Sequence, residues 1–358
     1  MNGRESKPAS ARSTTAMQGL YRVAIVGAGT LKGKELAEIL PETNFPAADV
    51  KLLDDDESLG QLEAVGDEMT FFQTVTRDNF DNVDFAFLAS DEKFTRRHWQ
   101  MARQAGSAII DMSYALEDEP GSSIRAPWID RELGEVQAPE LQPAPVVVAH
   151  PAATVLGLLL IRAQKATPVH SAVGTIFEPA SERGRPGLDE LHGQTVSLLS
   201  FQQLPKDVFD VQVAFNAVSR YGEKAAPSLE TAEHRMLDHF RRITRERVLV
   251  PSIMLLQAPI FHAYAFSLYL ELEKPLVLGD FTQALAGEHV SVTRTAEDAP
   301  SSVTAAGQDD ILLSLRRDPL RDHGVWIWAA ADNLRVTALN AVACAEQLAT
   351  SRPRGKVQ

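Results

Sequence analysis

A short β-rich run, Tyr21 to Val26, feeds into Gly27-Ala28-Gly29-Thr30-Leu31-Lys32-Gly33 and then into Lys34 to Leu40 at helical spacing. Few local patterns narrow the choice of fold as far. A strand, a glycine turn and a helix in that order open a nucleotide-binding βαβ unit, because glycines let backbone N–H groups approach a pyrophosphate at the positive end of the helix. The usual fingerprints are G-x-G-x-x-G and G-x-x-G-x-x-G. Gly27, Gly29 and Gly33 are present, and Thr30 stands where the second spacing has glycine. The turn therefore points to dinucleotide binding through Gly27, Gly29, Thr30, Leu31 and Gly33. The competing reading is a tight turn that only packs helix on strand.

The strand–helix alternation continues as far as His150. Val50 to Leu53 reads as a second strand ending in Asp54-Asp55-Asp56-Glu57, and Val83 to Ala89 as a central parallel strand. Phe94 to Ala105 is a helix that stops at Gly106, and Ala108 to Asp111 and Val146 to Ala149 are further buried strands. This is the pattern of a doubly wound α/β domain. A carboxylate at the end of the second strand accepts from ribose hydroxyls and repels a 2′-phosphate. Asp54 to Glu57 thus disfavour NADP and lean toward NAD or an adenosine ligand, so NAD or NADP is the expected cofactor, with NAD favoured. Ser90 and Asn333 complete the expected cofactor-binding set.

Beyond His150 the pattern changes. Thr154 to Lys165 reads as a helix with Thr154 near its cap, Val169 to Phe177 as a strand, and Glu182 to Gly187 as a charged loop before a helix from Leu188 to Leu199. Glu230 to Arg242 is amphipathic. Val248 to Leu256 and Phe261 to Leu272 are long strands, and Leu276 to Leu285 is a strand and helix. Gly307 to Arg316 and Val325 to Ala330 are later strands, and Asp332 to Ala349 is a final helix. The expected organisation is a disordered tail (1–17), a Rossmann-like domain (18–150) completed by the last helix (332–350), and an α+β domain with a mostly antiparallel sheet (151–331).

Among 358 residues, 44% are apolar and 23% charged, and the formal charge is -13. Such an acidic chain is not expected to seek nucleic acid or an anionic membrane. No apolar run reaches the roughly 20 residues of a membrane helix, and Met1 to Ala16 carries no secretory core. The single cysteine, Cys344, allows neither an internal disulfide nor a thiolate metal site, so a reducing cytoplasm is expected and no metal is.

Four segments stand out: Val325-Trp326-Ile327-Trp328-Ala329-Ala330-Ala331-Asp332-Asn333-Leu334-Arg335, Ala338-Leu339-Asn340-Ala341, Val213-Ala214-Phe215-Asn216 and Ile109-Ile110-Asp111-Met112-Ser113. Together they resemble the aspartate-semialdehyde dehydrogenase family. The resemblance implies a Rossmann-like domain, a second domain that forms a homodimer, and covalent catalysis by a cysteine thiolate, with a histidine as acid/base and arginines holding substrate anions. At the matching positions this chain departs. His150-Pro151-Ala152-Ala153-Thr154 matches the family's N-P-N-C-S, which puts Ala153 at the nucleophile position. Phe177 matches the glutamine, Leu116 and Gln257 the arginines, and Tyr264 the histidine. The resemblance therefore implies an inactive relative whose vestigial positions are Ala153, Phe177, Leu116, Gln257 and Tyr264. Other readings are a cysteine-independent oxidoreductase using Tyr264 and His262, and a structural or regulatory dimer partner without cofactor. His262, Thr154, the Asp111/Ser113 turn, Cys344, the Glu178/Glu182/Arg183/Arg185 loop and the pair His234/His239 each read more simply as packing, capping or surface residues.

Overall fold

The computed structural model describes residues 21–55, 62–66, 68–135, 144–275, 277–293 and 299–351. The expectations for the tail, for Asp56 and Glu57, and for Leu276 lie outside these residues. The first part of the chain runs β1 (Tyr21–Val26), α1 (Leu31–Ile39), β2 (Ala47–Asp54), β3 (Leu62–Val65), β4 (Glu68–Thr74), β5 (Phe85–Leu88), α2 (Glu92–Gln104), β6 (Ala108–Asp111), β7 (Ser123–Arg125), α3 (Pro127–Leu133) and β8 (Val146–Val148). The strands form one sheet in the order β3-β4-β2-β1-β5-β6-β8-β7, in which only β3 and β4 are antiparallel neighbours. The order reverses between β1 and β5, where a doubly wound sheet opens its ligand crevice.

The remainder runs α4 (Pro151–Ala166), β9 (Val169–Glu178), α5 (Gly184–Leu199), α6 (Leu229–Thr244), β10 (Ser252–Gln257), β11 (Tyr264–Leu272), α7 (Leu278–Leu285), β12 (Val290–Val292), α8 (Ser302–Ala305), β13 (Ile311–Arg317), β14 (Gly324–Ala331) and α9 (Asn333–Ser351). Its sheet has the order β10-β9-β11-β14-β13-β12, antiparallel except at the two edges. α4 is mostly apolar and is buried from Pro151 to Ala163, as a helix wedged under a sheet must be. α9 returns to the first domain, where Ala338, Ala341, Val342, Cys344, Ala345 and Leu348 join the core of β1, β5 and α1.

Several boundaries differ from the sequence expectation. α4 begins at Pro151 with His150 as its cap, so Thr154 lies inside the helix, where its hydroxyl donates back to the His150 carbonyl at 3.4 Å. Proline suits a first helical position because its missing N–H has no acceptor to serve there. The expected Glu182 to Gly187 loop is a short 3-10 turn followed by the start of α5 at Gly184, since Pro186 is tolerated in a first turn. The β3–β4 hairpin and α3 were not expected at all.

The outer face of the second sheet is apolar and open. Val173, Met254 and Trp328 are 50%, 55% and 38% exposed. Tyr269 packs on Trp326 (5.0 Å) and Phe177 lies near Trp328 (6.1 Å) on the same face.

At the glycine turn, Gly27 has φ +81°, and a Cβ on Gly33 would overlap the Gly27 carbonyl. Backbone on backbone leaves no side chain to swing aside. Gly33→Val is therefore expected to destabilise the chain by more than about 2 kcal/mol, checked by urea unfolding.

Candidate functional site

The crevice between the two sheets is organised by the start of α4. The His150 backbone N–H donates to His239 Nδ1 at 2.9 Å, and the His150 ring accepts at Nδ1 from the Ala152 N–H at 3.3 Å. Each ring thus carries its neutral-form proton on Nε2. For His150 that nitrogen lies 3.9 Å from Glu182. For His239 it lies 3.1 Å from Glu117, on the loop after β6. Arg235, one turn before His239 on α6, forks onto the same Glu117 carboxylate at 3.0–3.1 Å and reaches Glu92 at 2.9 Å. Glu92–Glu117–Arg235–His239 is therefore a polar bridge from the first domain to the second.

The environment shifts these groups. Burial pushes the His150 imidazole well below its ordinary range, helped by the positive charge of Lys32, Arg235 and Arg183. Burial also lowers His239, against the pull of Glu117. Glu117 itself is raised by burial, but hydrogen bonds from His239 and Arg235 outweigh this and hold it below the usual carboxylate range.

Tyrosines surround the histidines. Tyr114 sits at φ +67° on the loop after β6 and stacks on His150 with centroids 5.7 Å apart. Tyr264, 1% exposed, meets His150 edge-on at 6.0 Å and donates to Glu178 at 3.4 Å. Glu178 also accepts from Tyr221 at 3.1 Å and pairs with Arg183 at 3.5 Å. Burial raises the Glu178 carboxyl. Asn333, at the start of α9, accepts from Ser181 at 3.0 Å and donates to Glu182 at 3.1 Å.

The vestigial positions do not converge into one apolar pocket. Ala153 and Tyr264 share the same buried cluster. Leu116 instead belongs to the core beneath the first sheet, with its N–H on Asp111. Phe177 points to the outer face of β9, so the inward residue of that strand end is Glu178, which follows from the two-residue alternation of a strand. Gln257 is buried and fully engaged, donating to the carbonyls of Glu178 and Ala258 and accepting from Tyr221 at 2.7 Å. The crevice is not stripped of charge: Glu117, Glu178, Glu182, Arg183 and Arg235 line it, largely paired with one another. Asp111 and Ser113 close a local turn, with the Ser113 N–H and hydroxyl both on Asp111 at 2.7 and 2.6 Å. His262 is half-buried in the turn before β11, while Tyr264 bonds to Glu178 instead. Arg185 pairs with Asp189 on the surface. Cys344 is in the first domain's core, where burial pushes its thiol up to about 12. Among the described residues no cluster of three or more potential ligands could hold a metal ion.

At the glycine turn, Thr30 caps α1, accepting from the Gly33 N–H at 3.0 Å while its hydroxyl donates to the Gly27 and Ala89 carbonyls. Ser90 lies directly against Gly27. The Asp54 carboxylate accepts from the N–H groups of Gly29 and Asp55. The first N–H groups of a helix have no intrahelical acceptor. No described hydrogen bond takes those of Leu31 and Lys32, so this end of the crevice fits a phosphate. The adjoining stretch is spanned by the Lys32 side chain, whose Nζ donates to the Met112 carbonyl at 3.0 Å and lies 4.7 Å over the Tyr114 ring. Asn333 directs its hydrogen bonds to the second domain rather than to the turn.

Residues 22–150 match the semialdehyde dehydrogenase NAD binding domain, and residues 161–336 match the semialdehyde dehydrogenase dimerisation domain. A "USG-1 protein homolog" of Pseudomonas aeruginosa is 31% identical over 91% of this chain and 97% of its own length. The chain belongs to the semialdehyde dehydrogenase family. The aspartate-semialdehyde dehydrogenase of Rickettsia bellii is 24% identical over 92% of this chain and 97% of its own. A solved structure of a probable aspartate-semialdehyde dehydrogenase from Pseudomonas aeruginosa superposes with TM-score 0.80 at 28% identity, covering 92% of this chain and 98% of that one. Aspartate semialdehyde dehydrogenase II of Vibrio cholerae, complexed with ASA, gives the same TM-score at 22% identity, covering 93% and 99%, and so shows the shared fold. Among the described residues no helix is long and apolar enough to cross a membrane.

The lowered His150 imidazole has a pH consequence. Its folded pKa lies below its unfolded one, so the unfolded chain takes up the proton first, and stability falls as pH drops below about 6.5. The slope from one such group is up to about 1.4 kcal/mol per pH unit. In His150→Asn, which keeps a helix-capping side chain, the loss of stability between pH 7 and 5 is expected to be shallower by about that amount, read from urea unfolding at each pH.

Proposed function

We propose that this chain is a semialdehyde dehydrogenase family member that has given up the semialdehyde-oxidising reaction while keeping a nucleotide site and a homodimeric second domain. The observation that carries the reading is the residue on the first turn of α4. Ala153 is completely buried there and offers only a methyl group. The chain's one thiol is in the other domain's core and is held protonated. A semialdehyde requires a nucleophile to form an acyl intermediate, and the Tyr264 ring beside His150 takes part of the space a substrate would need. The nucleotide reading draws on the glycine turn and the unoccupied N–H groups of α1. Asp54 favours NAD over NADP, because a carboxylate repels a 2′-phosphate. The role is then ligand sensing or scaffolding in a reducing compartment, taken as the cytoplasm.

Assayed with aspartate semialdehyde, phosphate and NADP or NAD, the chain is expected to show no turnover above a blank without enzyme. Ala153→Cys alone is expected to leave it inactive, since the histidines beside it are already engaged, and Arg183 and Arg235 are paired with carboxylates. Turnover by the unaltered chain well above blank would overturn the proposal.

The homodimer is assigned to the open face of the second sheet, where Trp328, Val173 and Met254 stand exposed. Trp328→Glu is expected to weaken the dimer at least 100-fold, about 2.7 kcal/mol, seen in sedimentation as a shift to monomer. A Trp328→Glu chain that stays dimeric at micromolar concentration would place the interface elsewhere.

A further inference from the structure

The two halves of the cofactor crevice differ in what they can accept. On one side are the Leu31 and Lys32 N–H groups at the start of α1, and Asp54 at the end of β2. This is the equipment for an adenosine and its phosphates. To carry a nicotinamide to the second domain, a dinucleotide must then continue over the ends of β5 and β6 toward the start of α4. In this chain that path is already filled. Lys32 leaves the first turn of α1 in the same direction, and its ammonium is held by the Met112 carbonyl at 3.0 Å, just beyond β6. It covers the Tyr114 ring at 4.7 Å, Arg235 flanks the same ring at 5.2 Å, and the ring stacks on His150 at 5.7 Å. The result is a continuous wall from α1 to α4.

The backbone shows how firmly the wall is set. Tyr114 is held at φ +67°, a conformation bulky side chains rarely adopt and keep only where their surroundings over-determine it. It is 6% exposed, and its hydroxyl has no hydrogen-bond partner among the described residues. A nicotinamide riboside would have to displace the ring from two cations and a histidine. Charge points the same way. Glu117 and Glu92 neutralise Arg235, whereas the described hydrogen bond of Lys32 goes to a neutral carbonyl. The Lys32 charge acts on the buried Asp111 carboxyl at close range, and an ammonium at the end of the phosphate path suits a nucleotide that ends in phosphate.

We propose that the crevice binds an adenine nucleotide of the ADP type, ending at its phosphates, and that Lys32 and Tyr114 exclude the nicotinamide-bearing half. This deepens the nucleotide reading above and rests on it. Family membership supplied the NAD binding domain, and the wall narrows which part of that ligand the chain still grips.

Isothermal titration of the full chain with ADP and with NAD, repeated for Lys32→Met and Tyr114→Gly, tests the proposal. Glycine adopts positive φ without strain, so Tyr114→Gly removes the ring while keeping the turn. Lys32 is only half-buried, so Lys32→Met is expected to fold as the parent does. ADP is expected to bind the unaltered chain within threefold of NAD or tighter. Lys32→Met is expected to weaken ADP at least fivefold. Tyr114→Gly is expected to raise NAD affinity relative to ADP at least tenfold. NAD binding tenfold or more tighter than ADP in the unaltered chain overturns this proposal and leaves the nucleotide reading standing. Absence of heat with both ligands overturns the two together.

Discussion

A single backbone hydrogen bond, from the His150 N–H to His239 Nδ1, sets the arrangement of the crevice. It commits one nitrogen of His239 as an acceptor, so the other must donate, and the available acceptor is Glu117 in the first domain. Glu117 is in turn gripped by Arg235, which fixes α6 against the loop after β6. The helix cap, the tautomer and the domain contact form one chain of dependence. Breaking it at His239 leaves a buried N–H at the start of α4 and a carboxylate with less support. Both are costly in a dry interior.

The same chain of bonds shapes what the site can do. A general acid or base has to keep a free position for the substrate proton. His239 has none, and the free nitrogen of His150 looks toward Glu182 across 3.9 Å, among aromatic rings that shield it from water. Arg235 is turned onto carboxylates, while Arg183 lies 3.5 Å from Glu178 and donates to the Pro227 carbonyl, with its Nη2 buried and without a hydrogen-bond partner among the described residues. Ionisable side chains are plentiful here, but their charges are largely spent on one another, and the tyrosines fill much of the remaining space. The polar cluster works as a joint between two sheets, and the readiness for a ligand lies further along, at the glycine turn.

Much of the architecture was legible in the sequence because it follows from local rules. The strand–turn–helix at Tyr21 to Leu40, the apolar run at Val83 to Ala89 and the switch of pattern after His150 all appear in the fold at or near the expected residues. Harder to read was anything set by distance across the chain. His239 lies on the buried stripe of α6 with Met236, Phe240 and Ile243, where a histidine reads as ordinary core. Its importance comes from a partner 89 residues earlier. Glu117 gave no signal because its partners lie on α6. At the end of β9, one residue of register separates Phe177 from Glu178, and that offset decides which side chain enters the crevice and which joins the outer surface. The sequence carries Gly66-Asp67 between the β3 and β4 runs, a hairpin cue, but the charged residues in Leu62–Val65 and Glu68–Thr74 weaken the strand signal around it, and α3 is short, although Pro127 at its start and Gly134 after its end were visible cues.

The pleat of the second sheet couples two regions that would otherwise be independent. Along β9, β11 and β14, alternate residues belong to opposite surfaces: Glu178 and Tyr264 look inward, while Phe177 and Trp328 look out. One ribbon of backbone therefore serves as floor to the crevice and as ceiling to whatever settles on the aromatic side. A partner pressing on Phe177 and Trp328 leans on the same peptide units that aim Glu178 and Tyr264. Assembly and crevice shape are in this way read from one set of dihedral angles, and neither surface is free to drift without the other.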